Sequence, residues 1–121
     1  MFRRVGSFLI YSFALVLIQS YAFAFDDISG LWRHSAKPVV LNLDLESGIV
    51  SVKSHNDNLE AAGLTIIRNI EKDLDAGFQW TAEMYNGYID SYVPVKLLLK
   101  NNTTLLVSDA QGTEVLKLYR D

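Results

Sequence analysis

Beyond Phe25, apolar and polar residues alternate along most of the chain, and turn-forming residues break the alternation at short intervals. A period of two over short segments marks strands with one buried face. Leu31–Ser35 is the first. Val39, Leu41, Leu43 and Leu45 then alternate with Val40, Asn42, Asp44 and Glu46, "ESG" turns the chain, and Ile49–Ser54 returns, so residues 39–54 read as a hairpin closed by a short glycine-containing loop. After the polar loop "HNDNLEAAG", Leu64–Ile70 is a fourth strand, and "EKDLDAG" is a charged connection.

The fifth strand places Phe78, Trp80, Ala82 and Met84 on one face and Gln79, Thr81, Glu83 and Tyr85 on the other. "NG" turns into Tyr92–Leu99, where Val93, Val95, Leu97 and Leu99 share a face and Pro94 implies an edge or a bulge. Thr104–Ser108 and Thr113–Arg120, separated by "DAQG", form the last hairpin. About eight short strands in succession, with few helix signals, predict an all-β fold: a small up-and-down antiparallel β-barrel.

The first residues follow another pattern. Arg3 and Arg4 precede a nearly continuous apolar run from Phe8 to Ile18, and Ala22 and Ala24 supply the small-x-small signature of signal-peptidase cleavage before Phe25. Residues 1–24 therefore read as a signal peptide and 25–121 as one small domain. An uncleaved anchor is the competing reading, because Val5–Phe25 would almost span a bilayer, but an apolar run of about a dozen residues suits the core of a signal peptide better. Paired arginines without a cofactor motif favour ordinary secretion over a twin-arginine route. The expected location is periplasmic or secreted.

Cleavage removes Arg3 and Arg4, the only charges before Asp26, and lowers the formal charge from −3 to −5. With Lys37, Lys53, Lys72, Lys96 and Lys100 scattered, this acidic chain lacks the clustered cations of a nucleic-acid surface. It also has no cysteine. A small exported domain without disulfides depends on burial and backbone pairing, which a closed sheet supplies.

"GLW" on the first strand and Arg120 at the end of the last resemble the arrangement of lipocalin-like barrels, in which an arginine from the final strand covers a tryptophan near the barrel floor. The physical logic is a cation–π contact whose donors also reach backbone carbonyls. Gly30, Trp32 and Arg120 are thus expected to close the barrel. The order of features along residues 25–121 resembles the exported bacterial family known as Domain of Unknown Function 2147. The matching elements are Gly30, Trp32, the "NDN" loop, Gly63, Ile66, Trp80, Tyr92 and Arg120. The loop from His55 to Ala62 is shorter than the family pattern and lacks its prolines, and Leu118 stands where an aromatic is usual. The resemblance implies a fold more than a function.

Catalytic and metal chemistry find little support. There is no Gly-x-Ser-x-Gly elbow, no cysteine nucleophile and no His-Glu-x-x-His helix. His34 and His55 are the only histidines, and only His55 has a nearby carboxylate, Asp57. "DLDAG" opens like a calcium loop, with Asp73 and Asp75, but Gly77 takes the next ligand position and no glutamate closes the loop. Asn101 and Asn102 head glycosylation-type sequons that read first as turn residues. Neither a metal nor a cofactor is expected, and an enzyme is the least supported class.

Aromatic residues are the most suggestive set. Phe78, Trp80, Met84 and Tyr92 are the candidate ligand-binding residues, since aromatic and thioether side chains can line a small cavity. They also fill cores: a barrel of eight strands is either plugged by its own side chains or admits one small ligand, and short strands favour the plug. Two classes follow. One is a monomeric envelope protein holding a small apolar ligand in the barrel or at its mouth; the other is a filled-barrel module contacting another envelope protein or the cell wall through exposed residues such as Tyr88, Ile89 and Tyr92.

Sequencing the N-terminus of the exported protein checks the first of these readings: cleavage after Ala24 yields a chain that begins at Phe25, and an intact N-terminus in the membrane fraction excludes it.

Overall fold

A computed structural model of the protein describes residues 27–120; the expected signal peptide, residues 1–24, lies outside the described residues. Eight strands follow one another: β1 (Gly30–His34), β2 (Val39–Asp44), β3 (Ile49–His55), β4 (Thr65–Lys72), β5 (Gln79–Asn86), β6 (Ser91–Asn101), β7 (Thr104–Asp109) and β8 (Glu114–Tyr119). One 3-10 turn, Leu59–Ala61, interrupts the β3–β4 connection. Each strand pairs antiparallel with its sequence neighbour, and β8 returns to β1, so the sheet is a closed up-and-down barrel.

Alternation determines what fills it. Trp32, Leu41, Leu43, Val50, Val52, Ile67, Trp80, Ala82, Val95, Leu97, Leu99, Leu105, Val107, Leu116 and Leu118 are buried in one cluster, while their strand neighbours point outward. Cross-strand pairs such as Trp32 with Leu41, Leu43 with Val50 and Leu97 with Val107 join these side chains across the ladders. Large side chains therefore occupy the barrel interior.

The two ends differ. At one end, the floor, Ile28 ahead of β1 is fully buried in the same cluster and its carbonyl accepts a 2.9 Å hydrogen bond from Trp32 Nε1. The Arg120 guanidinium lies over the indole, 4.6 Å from the ring centroid. Its Nε donates to the Asn102 carbonyl at 2.8 Å, and the Arg120 amide donates to the Thr103 carbonyl at 3.0 Å. Gly30, which opens this element, adopts φ +128°, a conformation L side chains rarely take; space is not the constraint, because a Cβ there would meet nothing within 4 Å. At the other end, the mouth, lie the β1–β2, β3–β4, β5–β6 and β7–β8 connections.

Two strands depart from strict alternation. In β4 the register against β5 shifts by one residue between Arg68 and Glu71, and Asn69 takes φ 55°. This bulge lets Ile67 and Ile70 both face inward although they are an odd number of residues apart. Phe78 is the second departure. The sequence pattern puts it on the inner face with Trp80, but it precedes β5, adopts φ 60° and is 38% exposed. A left-handed backbone turns its side chain off the inner face even while its carbonyl accepts from the Leu99 amide at 2.9 Å.

Pro94 sits within β6 without breaking a ladder. The Leu99 amide points to the β5 side, so by alternation the imide nitrogen of Pro94 points to the β7 side. There β7 ends at Asp109, opposite Val95, and no ladder donor is required of Pro94.

The Trp32–Arg120 contact gives a test of the floor. Trp32→Ala removes a fully buried indole and is expected to cost about 3–5 kcal/mol. Arg120→Ala loses the cation–π contact and the Asn102 bonds, about 1–2 kcal/mol. Because the two side chains share a contact, the double variant loses less than the sum of the single losses in denaturant melts. Strict additivity would count against an energetic contact.

Candidate functional site

With the interior filled, the open mouth becomes the place to look for a site. The β5–β6 hairpin runs past the end of β7, leaving the last inward residues of β5 and the first of β6 without a β7 partner opposite. A groove of about 310 Å3 opens there, lined by Met84, Val93 and Val95 from the inner face, Tyr88 and Gly87 from the turn, and Val115 from β8. That volume is at the small end of ligand cavities, enough for one ring or a short chain.

Of the groove's described lining residues, Asp109 carries the carboxylate; it is opposite Val95 in the ladder. Its carboxylate oxygen Oδ1 accepts from the Gln111 amide at 3.0 Å and the Thr113 amide at 2.9 Å, so it braces the β7–β8 turn. Chemically, the groove offers an apolar half-shell with a carboxylate at its rim.

The four residues singled out in the sequence do not converge here. Met84 lines the groove. Trp80, the second residue of β5, lies toward the floor and is 3% exposed, with the Lys72 ammonium 4.7 Å from its ring centroid. Phe78 is turned off the inner face. Tyr92 stands on the outer wall: the Arg68 guanidinium stacks 3.7 Å from its ring centroid, and Tyr85 packs edge-on at 5.7 Å. Arg68 also pairs with Glu83 at 3.3 Å, and Asn69 Nδ2 donates to the same carboxylate at 2.5 Å. The Tyr85 hydroxyl donates to Asp90 at 2.6 Å; that bond to a carboxylate is the main reason its pKa is raised.

Sequence reasoning did not reach Val93, Val95 and Val115 as lining residues, because valines alternating along a strand read as core. The available signal was unequal strand length: β6 has 11 residues and β7 has 6.

His34 and His55 are loop-bracing residues. His34 Nδ1 accepts from the Ala36 and Lys37 amides at 2.9 and 3.1 Å, and His55 Nδ1 accepts from the Asp57 amide at 3.2 Å. Burial, and secondarily the Lys37 ammonium, lower the His34 pKa. Among the described residues no group of three or more His, Cys, Asp or Glu side chains is placed to hold a metal ion, and no helix is long and apolar enough to cross a membrane.

Comparison with protein-family models, with curated proteins and with solved structures finds no match to this chain.

His34 supplies a pH test. Its native pKa is lowered, so the unfolded chain binds the proton more readily, and the contribution of His34 to stability is complete above its ordinary value of 6.5 and is lost as pH falls through the native value. In an NMR titration the His34 ring is expected to titrate below 6.5, and Lys37→Gln to raise its midpoint. A midpoint at or above 6.5 would contradict the geometry.

Proposed function

We propose that the protein is an exported, non-enzymatic member of the lipocalin-like barrels that holds a small apolar molecule at the mouth of its barrel. The observation that carries this reading is the groove between the β5–β6 hairpin and β8, whose inner wall is Met84, Val93 and Val95. The buried tryptophans and leucines fill the space below, so the ligand sits on top of the core. Secretion rests on Arg3, Arg4, the apolar run and the Ala-x-Ala ending. Membership of the Domain of Unknown Function 2147 family belongs to the same proposal, supported by the order of Gly30, Trp32, Trp80 and Arg120 and by the guanidinium over the Trp32 indole.

A second reading has a specific observation behind it. Tyr88 is fully exposed and Ile89 is 61% exposed, side by side at the β5–β6 turn, as in a filled barrel that docks on another envelope component. The two readings differ in what the groove holds. Native mass spectrometry of the exported protein should show a co-purified ligand mass for the first and a bare chain for the second.

Titration with the neutral fluorophore N-phenyl-1-naphthylamine locates the site. Met84→Lys puts an ammonium into the groove and is expected to weaken binding by at least about tenfold, since an unpaired cation on an apolar wall costs more than 1.4 kcal/mol. His55→Ala should leave it unchanged. Equal binding by wild type and Met84→Lys would overturn the mouth as the site.

A further inference from the structure

The mouth groove carries a sign of charge as well as an apolar wall. Every described residue that lines it belongs to residues 84–95 or 105–116. Those two stretches hold Asp90, Asp109 and Glu114 and no Lys, Arg or His. The pattern follows from the fold, because the β5–β6 and β7–β8 hairpins meet at the groove and each brings an acidic turn, "NGYID" and "DAQGTE". A concavity bordered by one sign of charge concentrates ions of the opposite sign, because the protein wall focuses the field.

Asp109 is the acidic residue on the groove itself, and it is half-buried. Both turn amides, from Gln111 and Thr113, donate to its Oδ1, which leaves Oδ2 without a donor among the described residues. The turn thus fixes the carboxylate and uses one of its two oxygens. The neighbouring cations are placed elsewhere. Arg68 stacks on Tyr92 and pairs with Glu83 on the outer wall. Lys96 alternates with the inward residues Val95 and Leu97, and lines a smaller cavity of about 230 Å3 that shares Val95 and Asp109 with the groove.

We propose that the ligand of the mouth groove is a small apolar amine, its carbon frame against Met84, Val93 and Val115 and its ammonium on the Asp109 carboxylate. The proposal rests on the reading of the groove as the ligand site and adds the charge of the ligand. An ammonium donating to a carboxylate is a charge-assisted hydrogen bond, and the apolar wall beside it strengthens the attraction relative to open water. Tyr85 and Tyr88 also line the groove, and the faces of their rings favour a cation. An apolar acid of the same size meets repulsion from Asp109, so the same carboxylate selects against fatty-acid-like ligands. A groove of about 310 Å3 limits the frame to one ring or a short chain.

Titration of 2-phenylethylamine, 2-phenylethanol and phenylacetate into the isotope-labelled exported protein, followed by amide NMR, tests the proposal. The three probes share a ring and differ in charge. Saturable shifts are expected at Gly87, Tyr88 and Val93, with the amine bound at least about tenfold more tightly than the alcohol and phenylacetate the weakest. Asp109→Asn keeps an oxygen for the Gln111 and Thr113 amides and is expected to bring the amine down to the affinity of the alcohol. Should that variant fail to fold, salt replaces it: in the wild type the ratio of amine to alcohol affinity falls between about 0.01 M and about 1 M sodium chloride. Equal affinity of amine and alcohol at these amides, or a preference for phenylacetate, overturns the cationic ligand and leaves the groove as a site. No saturable shift there with any probe overturns the groove as well. An amine advantage that persists in folded Asp109→Asn, or undiminished in high salt, would remove Asp109 from the site.

Discussion

Closure of the sheet depends on a short seam. β1 meets β8 through two residue pairs, Arg33 with Tyr119 and His34 with Leu118, whereas β5 and β6 are joined by eight. Without this seam, β1 and β8 would each present an unpaired edge, and the interior would lose its wall on one side. The chain has no cysteine to tie its ends together, so non-covalent contacts must do it. Ser35 extends the ladder by donating its amide to the Lys117 carbonyl at 3.0 Å. Arg120, just beyond β8, reaches the β6–β7 turn with its amide and guanidinium and lies over Trp32 of β1. One side chain thus bonds the chain's last strand to the floor of its first. Joining residues so distant in sequence costs loop-closure entropy, which rises slowly with length, so a few well-placed contacts can offset it.

The same solution recurs beside it. Trp80, like Trp32, is buried near the floor with a cation over its ring, and the cation is Lys72 from the neighbouring strand. An indole face attracts a cation while the stem of Lys or Arg covers apolar surface and the charged head keeps its contact with water. Two such caps finish the wet end of an apolar core without burying a full charge, which would be costly. Lys72 reaches Trp80 because the bulge at Asn69 resets the alternation of β4, bringing the strand's last residue opposite the second residue of β5.

How far the sequence could be read follows from these details. Strand number, strand order and the inward sets Leu41–Leu43 and Val95–Leu97–Leu99 were legible because period-two burial is written directly in residue type. Bulges were not. Asn69 and Phe78 adopt left-handed backbone conformations; an asparagine tolerates that conformation without requiring it, and nothing in a phenylalanine announces it. Phe78 looked like core because it is large and apolar; its position depends on backbone twist at the strand's first pair. Tyr92 was ambiguous for a different reason. A tyrosine satisfies an inward face by area or an outward face by its hydroxyl, and here stacking on Arg68 and packing on Tyr85 stabilise the outward choice.

The residues beneath the β1–β2 loop show why a surface can be invisible in a sequence even where the fold is not. Along the chain Arg33 and Lys37 belong to the first hairpin and Lys117 and Tyr119 to the last, so the positive residues read as scattered. Only the β1–β8 seam makes them neighbours: Arg33 is directly opposite Tyr119. A closed barrel with a filled interior leaves two kinds of surface that depend on non-adjacent strands, the uneven rim and the outer wall across the seam. The rim follows from unequal strand lengths, here β6 outrunning β7, and yields the apolar groove. The wall across the seam brings residues of the first hairpin beside residues of the last, as with Arg33 opposite Tyr119.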